Sequence, residues 1–193
     1  LARIFAELQS AHAAAERVVS MMEAEPTIQD SPEVAAAYGD AFAPKKEHWP
    51  VMVGAIRFEG VWFAYNPAEP VLQDFYLDVA PGEVIALVGE TGSGKSTIIN
   101  LACRFYEPTR GRIFIDGMDY RQLPQAWLHS NLGYVLQSPH LFSGTIADNI
   151  RYGRLGATQA DIEAAAKLVN AHDFIIRTTK GYDSPVGEGG ALL

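Results

Sequence analysis

The sequence is poor in cysteine, in long apolar runs and in positive charge. Its single cysteine, Cys103, has no partner for an internal disulfide or a zinc-binding pair, which fits a reducing cytoplasmic setting. No apolar stretch approaches the ~20 residues of a membrane-spanning helix, and the N-terminus lacks the pattern of a signal peptide, so we expect a soluble chain. The formal net charge of -8 argues against a nucleic-acid binder, because such binding depends on Lys and Arg.

Residues 1–24 predict a helix that packs on a partner. Apolar residues recur there at alternating spacings of three and four, at Leu1, Ile4, Leu8, Ala11, Ala15, Val18 and Met22. A surface helix of the same domain is the alternative interpretation. Residues 25–53 hold Pro26, Pro32, Pro44 and Pro50 among mixed charges, and therefore predict a linker.

From residue 54 onward the sequence predicts alternating strands and helices. Short strands are expected at 56–58 and 61–65, on either side of Gly60, and at 71–79, 112–115 and 132–136. Residues 84–88 form a continuous apolar run, which predicts a strand buried on both faces at the centre of the sheet. Helices are expected at 145–152 and 158–169, the second capped by Thr158.

A glycine-rich segment between a predicted strand and a predicted helix indicates phosphate binding. It runs Gly89, Glu90, Thr91, Gly92, Ser93, Gly94, Lys95, Ser96, Thr97, which fits the P-loop pattern of two glycines five apart followed by Lys and a hydroxyl residue. The glycines allow positive φ angles and bring backbone N–H groups around an anion. A chance match in a glycine-rich turn is the alternative.

The predicted helix that starts at Ser96 adds a second source of positive potential. Its unpaired N–H groups and its dipole point at the same phosphates. Lys95 supplies a full charge for the β and γ phosphates, and the Ser96 hydroxyl is the expected magnesium ligand. The segment therefore predicts binding of ATP together with Mg²⁺, despite the acidic composition of the chain.

Four sequence segments from residue 54 to 193 together resemble the nucleotide-binding domain of exporter-type ATP-binding cassette (ABC) transporters. They are residues 63–65, the P-loop at 89–97, residues 134–137 and residues 141–150, in this order. The resemblance implies an α/β fold: a P-loop NTPase core with an antiparallel β subdomain and part of a helical subdomain, preceded by an N-terminal helix. It also implies three parts, with a helix from a membrane domain at 1–24, a linker at 25–53 and the ATP-binding domain at 54–193.

Two further site residues follow from the resemblance. Tyr65 matches the aromatic residue that stacks on adenine, although its alternation with Val61 and Phe63 equally suits a buried strand aromatic. Gln137 matches the glutamine that helps hold magnesium and the attacking water; without the family it would be an ordinary loop residue.

The resemblance also implies partners. Residues 141–153 match the segment that faces the membrane domain, and residues 186–190 match the loop before the family's signature motif. Either could instead be an ordinary surface helix or a glycine-rich turn. The expected partners are a second nucleotide-binding domain and the transmembrane domains of the same transporter, at the cytoplasmic face of the membrane.

Parts of the family pattern have no counterpart in these residues. The Ser-Gly-Gly-Gln signature, the Asp-Glu pair after an apolar strand and the switch histidine are absent from the sequence. We therefore expect an ATPase in the longer parent protein but no turnover by these residues alone, and we expect exposed apolar surface on the central strands. A nucleotide-binding module without turnover and a small-molecule P-loop kinase are the alternatives.

Overall fold

The computed structural model describes residues 2–24, 26–137 and 140–190. These fall into two compact units, Leu1–Leu132 and Gly133–Leu193. Across the described ranges, no helix combines the length and apolar character needed to cross a bilayer. The proposed domain bounds at residues 24 and 53 stay predictions.

The first unit begins with helical segments. Helix α1 covers Ala2–Met22, which confirms the predicted N-terminal helix, and Val18 and Met22 of its apolar seam are exposed. Helix α2 covers Pro32–Tyr38 within the predicted linker, and a 3-10 turn follows at Lys46–His48. Ser31 caps the N-terminus of α2, because its hydroxyl accepts a hydrogen bond from the Val34 backbone amide at 3.3 Å.

A four-stranded antiparallel sheet forms the centre of the first unit. Strand β1 covers Ile56–Phe63, β2 Leu72–Val79, β3 Arg110–Ile115 and β4 Met118–Asp119, in the order β2-β1-β3-β4. The two strands predicted around Gly60 are therefore one strand. Gly60 has φ 56° and lies at a shift in register between Phe58 and Val61, so it bends the strand without ending it.

The strand predictions at 84–88 and 132–136 are wrong for this structure. Both segments are irregular, and Val84, Val88 and Val135 are 95%, 93% and 92% exposed. A central strand needs hydrogen-bonded neighbours on its edges, and no described strand pairs with either segment. Apolar side chains are exposed as expected, but they lie on irregular backbone and not on central strands.

Helices cover one face of this sheet and complete its core. Helix α3 covers Lys95–Ala102, and α4 covers Gln125–Ser130. A 3-10 turn at Tyr120–Gln122 follows β4 and precedes α4. The fully buried side chains of the core include Phe58, Val61, Leu101, Ile113 and Trp127. The apolar side of α3 therefore packs into the core.

The second unit is helical. It contains α5 at Ile146–Arg151, α6 at Gln159–Leu168 and α7 at His172–Arg177, with 3-10 turns at Gly181–Asp183 and Glu188–Gly190. Thr145 and Thr158 each form a capping box with the aspartate three residues later, which confirms both predicted helix starts. A small core of Ile146, Ile162, Ala166, Ile175 and Val186 holds the helices together.

Candidate nucleotide-binding site

The glycine-rich loop joins the irregular segment 83–88 to α3. Gly92 and Gly94 have φ angles of 87° and 88°, which side chains with a Cβ rarely adopt. The Ser93 amide donates to the Glu90 carbonyl at 3.2 Å and closes a turn inside the loop. At Gly89, a Cβ would lie 2.7 Å from the Ser93 hydroxyl oxygen. The backbone at Gly92 and Gly94 therefore favours glycine, as the motif predicts, whereas at Gly89 a small movement of the Ser93 side chain would make room for a Cβ.

The Lys95 side chain folds back across the loop. Its Nζ donates hydrogen bonds to the carbonyl oxygens of Gly89 at 2.8 Å and Glu90 at 2.6 Å. The ammonium group is therefore held at the loop, with carbonyl oxygens in positions where stronger, anionic acceptors could replace them. This arrangement places a full positive charge beside the backbone N–H groups.

The first turn of α3 opens onto the same loop. Helix α3 begins at Lys95, one residue earlier than predicted, and its N-cap, Gly94, offers no side-chain acceptor to the first amides. Such amides have no partner within their own helix, so they are free to bind an anion. Thr97 is buried, whereas Ser96 is exposed. The Ser96 hydroxyl is therefore accessible to a metal ion carried by the phosphates.

Tyr65 lies beside the phosphate-binding helix although 32 residues of sequence separate it from Thr97. Its hydroxyl is 3.3 Å from the Thr97 hydroxyl and accepts a hydrogen bond from the side-chain Nδ2 of Asn100 at 3.4 Å. The ring lies edge-on to Phe63 and Tyr106, at centroid distances of 4.8 and 5.0 Å, and the residue is 51% exposed. The ring is therefore half-exposed and not a buried strand aromatic, and its use as a platform for adenine stays a prediction.

Sequence reasoning missed two residues that hold this platform. Asn100 and Tyr106 contact Tyr65 but belong to no motif, and only the folding of α3 against the end of β1 brings them there. Only Asn100 has a sequence signal, because it follows Thr97 by three residues and therefore lies beside it on the surface of α3.

Gln137 belongs to the second unit. It is exposed there, at the end of the irregular segment 133–137. Its predicted approach to magnesium stays a prediction. Gly189 has φ 63° inside the 3-10 turn at Glu188–Gly190.

The chemistry of the donors fits a nucleotide that carries its own metal ion. Within residues 2–24, 26–137 and 140–190, no group of three His, Cys, Asp or Glu side chains could hold a metal. Magnesium prefers oxygen ligands and commonly binds through substrate phosphates with few protein groups. An exposed hydroxyl at Ser96, next to amides and an ammonium group, suits that mode of binding.

An apolar groove of about 590 Å³ lies beside the loop in the first unit. It is bounded by β1 and β2, by Ile85 and Leu87 of the irregular segment, and by Lys95 and Ser96 of α3. Ile85 and Leu87, from a segment predicted as a buried strand, thus line this groove instead.

The family model described as ABC transporter matches residues 72–188 of the sequence. The chain belongs to the ABC transporter family. This match spans the P-loop, Gln137 and the helices of the second unit.

Similar proteins place the chain in the ATP-binding part of this family. An uncharacterised ABC transporter ATP-binding protein, YfiC of Bacillus subtilis, is 42% identical over 191 residues, covering 99% of this chain and 30% of that protein. A fatty acid ABC transporter ATP-binding/permease protein of Mycobacterium tuberculosis is 42% identical over 193 residues, covering 100% of this chain and 28% of that protein. The chain therefore spans less than a third of the length of these relatives.

A solved structure of similar fold supports the same assignment. A bacterial Atm1-family ABC exporter with ATP bound matches with a TM-score of 0.81 and 34% identity, covering 98% of this chain and 31% of that chain. The predicted α/β fold with an antiparallel β part is confirmed. The chain is an ATP-binding domain of the ABC exporter type.

Proposed function

We propose that this chain binds ATP with Mg²⁺ and, within a longer transporter, couples ATP binding and hydrolysis to export across a membrane. The observation that carries the proposal is the loop at 89–95, where left-handed glycines, a helix N-terminus and the Lys95 ammonium group converge. Backbone amides and one lysine can neutralise a triphosphate although the whole chain is acidic.

Each site residue has a defined part in this proposal. The amides of residues 89–97 and Lys95 hold the phosphates, and Tyr65 stacks on the adenine ring. Ser96 and Gln137 would hold magnesium, which neutralises phosphate charge and fixes the phosphate geometry when bound. Lys95 would exchange the Gly89 and Glu90 carbonyls for phosphate oxygens.

The proposal includes partners at the cytoplasmic face of a membrane. The similar protein of Mycobacterium tuberculosis is named an ATP-binding/permease protein, which supports a connection between this chain and transmembrane domains. The family assignment also supports pairing with a second nucleotide-binding domain, and it removes the small-molecule kinase alternative.

Substitution of Lys95 tests the nucleotide site. Lys95→Ala should weaken Mg-ATP binding by about 10- to 100-fold, because a hydrogen bond to a charged group contributes about 1.5–3 kcal/mol. Lys167→Ala removes the same charge at an exposed position in α6 and is the matched control. Equilibrium dialysis with labelled ATP measures both affinities. Equal affinity in wild type and Lys95→Ala would contradict the proposed site.

A second candidate function for the 193 residues taken alone is nucleotide binding without turnover. It is favoured because the sequence contains neither the Asp-Glu pair nor the Ser-Gly-Gly-Gln signature of the family pattern. Phosphate release by the purified chain in the presence of Mg-ATP decides between the two. Release above that of the Lys95→Ala variant would contradict binding without turnover.

A further inference from the structure

A buried cation joins the segment before β1 to the far end of α3. The Arg104 side chain is 1% exposed; its Nη1 donates to Asp30 Oδ1 at 3.0 Å and its Nε to Glu107 Oε1 at 2.9 Å. Arg104 lies two residues beyond Ala102, the last residue of α3. Asp30 lies 74 residues earlier, in the predicted linker.

The other hydrogen bonds of Arg104 leave it little freedom. Nη1 also donates to the carbonyls of Tyr120 at 3.3 Å and Leu123 at 2.9 Å, and the guanidinium lies over the Tyr120 ring at 5.6 Å. Arg104 has φ 54°, an uncommon conformation for a residue with a Cβ, and its amide donates to Leu101 of α3 at 3.0 Å. The surrounding contacts therefore fix both its backbone and its side chain.

Asp30 is held from two directions. Besides the bond from Arg104, its two carboxylate oxygens each accept a hydrogen bond from the Gln125 amide at 3.1 Å, at the start of α4. The Gln125 side chain in turn donates to the Arg104 carbonyl at 3.3 Å. Asp30, Arg104 and Gln125 form a closed network that ties the linker to the ends of two core helices.

The same segment is also fixed where it enters the sheet. The indole Nε1 of Trp127 donates to the Pro50 carbonyl at 2.7 Å. The Asp116 carboxylate accepts hydrogen bonds from three successive amides, Val53, Gly54 and Ala55, at 2.8 to 2.9 Å. Residues 26–55 are therefore attached at both ends to the rest of the first unit and are not a free linker.

We propose that Asp30 and Arg104 form a positioning joint that transmits the nucleotide state of the P-loop helix to residues 26–38. The proposal rests on the proposed function, because it requires that the P-loop bind ATP. Helix α3 carries Lys95 at one end and leads into Arg104 at the other, a span of about 12 Å for eight helical residues. A helix of this length moves as a unit, so phosphates that shift its N-terminus also shift Arg104.

Arg104 would carry Asp30 along with it. The guanidinium is 1% exposed, so separation from its two carboxylate partners would leave a buried charge held only by the Tyr120 and Leu123 carbonyls. Nucleotide binding should therefore change the order of the linker segment next to Asp30, including α2. A segment attached only through flexible backbone would not respond in this way.

Hydrogen exchange in the full chain, with and without saturating Mg-ATP, tests the joint. In wild type, Mg-ATP should change amide exchange in residues 26–38 by about threefold or more, because local opening reports local stability. Asp30→Ala should abolish that difference while the affinity for Mg-ATP stays within about twofold. Asp40→Ala is the matched control, since Asp40 Oδ1 accepts hydrogen bonds from Phe42 and Ala43 of its own turn.

The outcomes separate this inference from the proposed function. Wild type that binds Mg-ATP without any change in residues 26–38 would overturn the joint alone, as would an unchanged response in Asp30→Ala. Wild type that fails to bind Mg-ATP would overturn the proposed function and the joint with it. If Asp30→Ala does not fold, Asp30→Asn replaces it: this variant keeps an acceptor for Gln125 but loses the charge facing Arg104, and it should reduce the response. A full response in Asp30→Asn would overturn the joint.

Discussion

Gly92→Ala tests whether the left-handed backbone of the loop is needed for nucleotide binding. Gly92 has φ 87°, and a Cβ built there meets no atom within 4 Å. The substitution therefore introduces no clash and changes only the backbone preference. A left-handed conformation costs a residue with a Cβ about 1–2 kcal/mol.

This cost should affect binding more than folding. The loop around Gly92 is exposed, so in the free protein it can relax to a negative φ, and the free energy of unfolding should fall by less than about 0.5 kcal/mol. Bound phosphates require the left-handed cradle. The affinity for Mg-ATP should then drop by about 5- to 30-fold, the equivalent of 1–2 kcal/mol.

Competition of Mg-ATP against a fluorescent nucleotide measures the affinity, and urea unfolding measures the stability. Gly117→Ala is the matched control, because Gly117 has φ 81° with no atom within 4 Å of its Cβ and lies in the turn between β3 and β4. It should lower stability and leave affinity unchanged. Wild-type affinity in Gly92→Ala, or an equal loss of affinity in Gly117→Ala, would refute the reasoning.

Three further predictions concern the platform, a capping box and the linker. Tyr65→Ala should weaken ATP binding by about 5- to 100-fold in a dialysis assay whereas Tyr65→Phe should not, because stacking of a base on an aromatic ring contributes about 1–3 kcal/mol. In α6, hydrogen bonds from Thr158 and then Arg154 lower the Asp161 pKa from 3.8 to about 2. Ionised Asp161 therefore adds to the free energy of unfolding above about pH 4, and this contribution is lost as the pH falls from about 4 to about 2. Thr158→Ala should move this pKa back toward 3.8 in a carboxyl-carbon NMR titration, and an unmoved pKa would contradict the capping box. Trp127→Phe removes the hydrogen bond to the Pro50 carbonyl and should lower the free energy of unfolding by about 1–3 kcal/mol in urea, whereas an unchanged midpoint would contradict that contact.

Features that depend on neighbouring residues could be predicted from the sequence. The glycine-rich loop needs left-handed backbone at set positions, so its spacing alone located the bend before α3. The two capping boxes follow from a threonine and an aspartate three residues apart, and both helix starts are confirmed. Pro32 contributes to the linker prediction, but it stands in the first turn of α2, where proline is also favoured.

Features that depend on distant partners could not be predicted. Residues 84–88 have the composition of a buried strand, but a strand exists only when another pairs with it, and no described residue does so. Arg104 and Asp30 lie 74 residues apart, and no spacing rule connects them. Tyr65 could be placed near the P-loop helix only through the family resemblance, because its alternation with Val61 and Phe63 also fits a buried side chain.

Backbone amide NMR of the chain during titration with Mg-ATP tests the central claim most directly. We expect the amides of Gly92, Gly94, Lys95 and Ser96 to shift together and to saturate at one nucleotide per chain, since they surround the phosphates. The exposed control residues of α6, such as Lys167, should not shift. Saturable binding that leaves these loop amides unchanged, or no binding at all, would contradict the proposal that this loop holds the nucleotide.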